Sequence, residues 1–90
     1  MRNTYTAEKV EVKAEIKGTA VDIPVAGRPF MIANTGAQPL YINPAETATA
    51  GNGFLIPAGT VLPIKMAVRG NLSAISNSTG TSVAVLYFDV

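Results

Sequence analysis

Turn residues interrupt this chain so often that little but short strands fits between them. Gly18, Ala26-Gly27-Arg28-Pro29, Asn34-Thr35-Gly36, Pro57-Ala58-Gly59, Arg69-Gly70-Asn71 and Asn77-Ser78-Thr79-Gly80 each carry turn chemistry. The runs between them, residues 8–17, 19–25, 30–34, 40–43, 53–56, 60–68, 72–76 and 82–90, are apolar or alternating. About eight short strands at close spacing predict an all-β fold, a small antiparallel β-sandwich or a jelly-roll-like barrel. Its 90 residues make one domain, 1–90, with 1–17 as an N-terminal strand or as an arm that orders on assembly.

The first run alternates Val10, Val12, Ala14 and Ile16 with Lys9, Glu11, Lys13, Glu15 and Lys17. In a helix these charges would stack like on like at four-residue spacing, which is destabilising. In a strand they form one face, alternating in sign, that a neighbouring strand can match with cross-strand ion pairs. The expectation is a half-buried strand with its valines inside and its charges outside. Phe30–Asn34 and Leu40–Asn43 read as hairpin partners, and Pro57-Ala58-Gly59 reads as the three-residue loop of a second hairpin. Pro63 cannot donate to a ladder, so its strand lies at an edge or bends at a bulge. Residues 44–52 lack either period and read as an exposed loop. From Val83 to Phe88 both faces are apolar, so the last strand is central in a sheet or buried against another subunit.

The inventory for chemistry is small. With no histidine and no cysteine, no Ser-His or Cys-His nucleophile and no thiolate or imidazole metal site is available. Glu8, Glu11 and Glu15 interleave with lysines as a solvated face does, and Asp22, Glu46 and Asp89 are far apart in sequence. Asn43, Glu46 and Asn52 flank one loop and offer oxygens, but without the spacing of a calcium loop they read as turn residues. No catalytic, cofactor or metal residue is therefore assigned, and no enzyme activity or cofactor is expected. A net charge of +1 argues against nucleic acid as a partner. No apolar run reaches membrane-spanning length, and Met1-Arg2-Asn3-Thr4-Tyr5-Thr6 lacks the apolar stretch of a secretion signal. Asn71-Leu72-Ser73 and Asn77-Ser78-Thr79 match the glycosylation pattern but, without that signal, read as turns. Of the charged residues, seven basic and six acidic, Arg2, Glu8, Lys9, Glu11, Lys13, Glu15 and Lys17 crowd into residues 1–17. The sparse charge elsewhere, with the two-faced last strand, points to a homo-oligomer.

The run Arg28-Pro29-Phe30-Met31-Ile32-Ala33-Asn34-Thr35-Gly36 leads to Pro39-Leu40-Tyr41-Ile42. Gly53-Phe54-Leu55-Ile56-Pro57-Ala58-Gly59-Thr60, Leu72-Ser73-Ala74-Ile75-Ser76 and an apolar last strand follow. Over residues 28–90 this order resembles the small all-β virion structural proteins of tailed bacteriophages, of the capsid decoration or stabilising type. The resemblance implies a structural protein of the virion, assembled in the host cytoplasm. Its implied partners are its own copies, with a trimer favoured, and the major capsid protein or another virion protein. The expected subunit contacts are Val85, Leu86, Tyr87, Phe88 and Val90, with Val10, Val12 and Ile16 as a second set, since one period-two face fills a core and leaves the other for a neighbour. The alternatives are a neck or tail component, and a carbohydrate- or receptor-binding module using Tyr5, Tyr41 or Tyr87.

Overall fold

The computed structural model describes residues 6–25 and 27–89. Its eight strands are β1 (Thr6–Ile16), β2 (Val21–Ile23), β3 (Phe30–Asn34), β4 (Leu40–Asn43), β5 (Phe54–Ile56), β6 (Val61–Met66), β7 (Leu72–Ile75) and β8 (Thr81–Asp89). They form two four-stranded antiparallel sheets, β1-β8-β3-β6 and β2-β7-β4-β5. The sheets pack face to face as a sandwich. Phe30, Ile32, Val83, Val85 and Tyr87 of the first sheet meet Ile23, Leu40, Ile42, Ile56 and Leu72 of the second in one buried cluster. The molecule measures 44 × 24 × 16 Å, and the long axis reflects the β1–β8 ribbon, since strand residues rise about 3.3 Å each.

The pairing corrects both expected hairpins. β3 pairs with β6 and β8, whereas β4 pairs with β5 and β7, so the turn after Asn34 carries the chain from one sheet to the other. Asn34 enforces this crossing. Fully buried, it donates its side-chain amide to the carbonyls of Gln38 (2.7 Å) and Ile56 (2.9 Å) and accepts from the Thr81 hydroxyl (2.7 Å) and the Gly36 amide (3.2 Å). One side chain thereby ties β3 and β8 to β5 in the opposite sheet. Gly36 lies so close to β8 that a methyl there would collide with the Thr81 hydroxyl and the Ser82 backbone. Pro57-Ala58-Gly59 does turn as expected, with Thr60 N–H on Pro57 O at 3.2 Å and Gly59 at φ 70. It likewise joins strands of different sheets, β5 and β6, which do not pair.

Pro63 sits in β6, the outermost strand of its sheet, beside a register shift against β3. β8 lies centrally between β1 and β3, the place its two apolar faces require.

β1 is turned over relative to expectation. Lys9, Glu11 and Lys13 stand opposite Tyr87, Val85 and Val83, on the core side of the sheet. Val10 and Val12 point outward, 62% and 66% exposed. A register shift between Lys13 and Ile16, with Glu15 at φ 59, then inverts the alternation, and Ile16 enters the core. A single irregularity suffices because side chains alternate with a period of two. The charges are tolerated there because the facing β2 has only three residues, so these side chains reach solvent past it.

Candidate interaction surfaces

The outward faces of the two sheets differ in what covers them. On the β2-β7-β4-β5 sheet the outward positions include Asp22, Ser73, Tyr41, Asn43 and Leu55. Much of this face is roofed by the chain itself. The loop 44–53 folds back so that Ala48 is fully buried, with its N–H on the Ser73 hydroxyl at 2.9 Å. The Asn43 carboxamide oxygen accepts from the amides of Ala45 and Glu46, and its NH2 donates to Asn52 O. The Asn52 side chain in turn donates to Thr47 O and accepts from Thr49 N–H, and the Asn52 backbone N–H donates to the Thr49 hydroxyl oxygen. The side-chain oxygens of Asn43 and Asn52, two of the three considered for calcium, are thus engaged in closing this loop. The loop is exposed over 44–52 as expected, except at Ala48, whose burial anchors it on the sheet. Gly53 lets it close, since a methyl there would meet Tyr41 Cβ at 2.7 Å and Thr49 O at 2.9 Å.

The β1-β8-β3-β6 sheet presents Val10 and Val12 from β1, Ala84 and Leu86 from β8, Met31 and Ala33 from β3 and Val61 from β6. A shallow hollow of about 150 Å³ runs between Val10, Met31, Ala33, Val61 and Leu86. Val61 is 52% exposed, Leu86 and Met31 are half-buried, and no other described part of the chain packs over them as loop 44–53 packs over Ser73. An apolar face crossing all four strands of a sheet is unusual on a solvent-facing surface.

A second apolar feature opens between the sheets on the β5–β6 side. It is a cleft of about 380 Å³ lined by Phe30, Ile42, Phe54, Leu62, Met66 and Leu72, among others. Phe54 at its mouth is 60% exposed. The lining offers no polar group to orient a sugar.

Beneath β1 lies a polar cluster. The Tyr87 hydroxyl donates to the Glu11 carboxylate at 2.7 Å, and Lys9 and Arg28 each approach the ring at 5.1 Å from its centroid. Burial first, and then the hydrogen bond and charge of Glu11, push the Tyr87 phenol from 10 up to about 12, against a smaller opposing pull from Arg28. The cluster fastens the charged side of β1 to β8. Among the described residues no group of three or more acidic side chains is placed to hold a metal.

The expected contact residues divide. Val85 and Tyr87 spend their side chains inside the sandwich, and Phe88 is also buried. Leu86 lies on the open apolar face, and Val90 lies outside the described residues. Of the second set, Val10 and Val12 stand on the open face, whereas Ile16 is core. Of the tyrosines, Tyr5 lies outside the described residues and Tyr41 is half-buried on the roofed face. Met31, Ala33 and Val61 were not anticipated, although the alternation within 30–34 carried the signal for two of them. The chain matches no known family model, no curated protein and no solved structure.

Proposed function

We propose that this chain is a non-enzymatic structural protein of a virion, a capsid decoration or stabilising component, that acts by seating its open apolar sheet face on other protein. The observation that carries the reading is the contrast between the outward faces. One is partly covered by the chain's own loop, while the other is apolar across four strands, with no other described segment over it. Apolar area buried there would contribute about 25 cal/mol per Å² before the costs of association. The strand order supports the same reading. β1 with β8, β2 with β7, β3 with β6 and β4 with β5 form four antiparallel pairs. A ribbon of such pairs wrapped across two sheets is the jelly-roll arrangement, which capsid proteins use among many others, so the fold raises this reading without deciding it.

The test has two parts. Native mass by light scattering over a dilution series is expected to show an assembly that Leu86→Asp weakens while circular dichroism stays unchanged. A folded variant with unaltered mass and unaltered seating on virions would remove the face from the contact. Quantitative mass spectrometry of purified virions is expected to find many copies of the chain per particle, and its absence would end the virion assignment. Labelling on the same particles distinguishes the shell from the neck or tail.

A further inference from the structure

We propose that β1 pairs antiparallel with β1 of a second copy, about a two-fold axis through Val12. This rests on the assembly reading above and names the partner and the register. The motivation is the unpaired edge. Among the described residues β1 hydrogen-bonds to β8 on one side only, and it is 11 residues long. The other outer strands are blunted, β2 and β5 by having three residues each and β6 by Pro63. β1 carries register shifts on either side of residues 9–13, but that stretch between them is regular, and a regular edge is a template for another strand wherever its charges find opposite charges.

The charges select both the partner and the register. Charges along an edge commonly prevent pairing, and a row of one sign would do so against a second copy. Here Lys9, Glu11, Lys13 and Glu15 alternate in sign, so attraction or repulsion depends on alignment. With the axis at Glu11, Glu11 would oppose Glu11, and Lys9 would oppose Lys13. With the axis at Val12, Glu11 opposes Lys13 of the second copy, Lys13 opposes its Glu11, and Lys9 opposes its Glu15. Directly opposed unlike charges stabilise a sheet and like ones destabilise it. Placing the axis at Val10 also matches signs, but it uses Lys9 and Glu11, which already hold Tyr87, and leaves out Lys13. Exposed Lys13 makes no ion pair with a described residue of its own chain. A carboxylate has two oxygens, so Glu11 can take that lysine on one while the other keeps the Tyr87 hydroxyl. Glu15 sits at the register shift and pairs with Lys17 at 3.6 Å, so the two Glu11–Lys13 contacts carry the register.

A two-fold axis perpendicular to the sheet keeps both apolar faces on one side. The two four-stranded sheets become one eight-stranded sheet, with Val12 beside Val12 at its centre and the apolar face continuous across it.

The full chain, which has no native cysteine, allows a direct test. Opposed residues of an antiparallel pair have Cα atoms about 4.5–5.5 Å apart, within disulfide reach. Val12→Cys is therefore expected to form a covalent dimer under mild oxidation on the order of tenfold faster than Val10→Cys, which faces a different residue. Lys13→Glu and Glu11→Lys are each expected to weaken the dimer about tenfold or more. An equimolar mixture of the two should recover it, because each then opposes unlike charge. Circular dichroism checks folding, and Lys13→Glu breaks no ion pair with a described residue of its own chain.

Equal crosslinking of the two cysteine variants, a mixture that stays monomeric, or a wild-type protein monomeric at every concentration would each overturn the pairing. A wild-type trimer indifferent to Lys13→Glu but dissociated by Leu86→Asp would overturn the pairing and leave the apolar-face reading standing. The reverse pattern would sustain the pairing, and the apolar face would then be removed only if Leu86→Asp also seats unaltered on virions.

Discussion

The two outward faces of this sandwich belong to sheets of equal strand number, yet the loop 44–53 covers part of one, while no other described segment packs over the apolar positions of the other. On the closed face, Ser73, Asn43 and Asn52 supply the hydrogen bonds that hold a ten-residue span, 44–53, down over the sheet. On the open face β1, β8, β3 and β6 bring up valine, alanine, leucine and methionine, with no such loop above them. A small domain has too little core to leave apolar surface idle without cost. Polar anchors on one sheet face hold the chain's own loop there, and the apolar positions of the other face offer no such anchors.

The sharpest way to break this comparison is one acidic substitution on each face. Ala48→Asp places a charge under the loop, where it can be neither solvated nor paired. A loss of about 3 kcal/mol is expected by urea denaturation. Leu86→Asp on the open face should cost about 1 kcal/mol or less and act on association instead. Equal losses would mean the faces are equally packed. Ser73→Ala, which removes the acceptor of the Ala48 amide, should cost about 1–2 kcal/mol and speed hydrogen exchange in residues 44–53. A loop unchanged in exchange would show that something other than this anchor holds it.

Alkaline pH probes the underside of the open sheet. The folded state favours the neutral Tyr87 phenol, so its contribution is complete below pH 10 and disappears as pH climbs through about 12. Stability against pH should fall over that window, and Tyr87→Phe should flatten the Tyr87-dependent part of the fall. The smallest effect is expected from Val10→Thr with Val12→Thr, which keeps β-branched side chains on exposed positions. Stability should stay within about 0.5 kcal/mol of wild type, while binding of an apolar fluorescent dye drops.

Much of this architecture was legible beforehand. The uncharged run Val83–Phe88 announced a strand either central in a sheet or buried against another subunit, and β8 is central. Pro63 announced an edge or a bulge, and β6 has both. Asn34-Thr35-Gly36 announced a turn, and the Asn34 side chain makes it. The open face was only partly visible. Leu86, Val10 and Val12 were singled out, but Val85 and Tyr87 belong to the core, and Met31, Ala33 and Val61 went unnoticed. The valines of β1 were assigned to the inside because apolar residues usually go there. Opposite Tyr87, however, a lysine and a glutamate find an aromatic ring and a hydroxyl to hold.

The sequence alone determined where strands and turns fall, because alternation, β-branched content and the backbone demands of Gly, Pro and Asn are local properties. The tertiary structure decided which strands meet and which face of each is inward. Alternation has two equivalent faces, and the irregularity at Glu15 exchanges them. The pairing of β1 with β8 joins the two ends of the chain, so no local signal specifies it. Only the closing of the sandwich, with the loop 44–53 drawn over one sheet, leaves the other sheet's apolar face open.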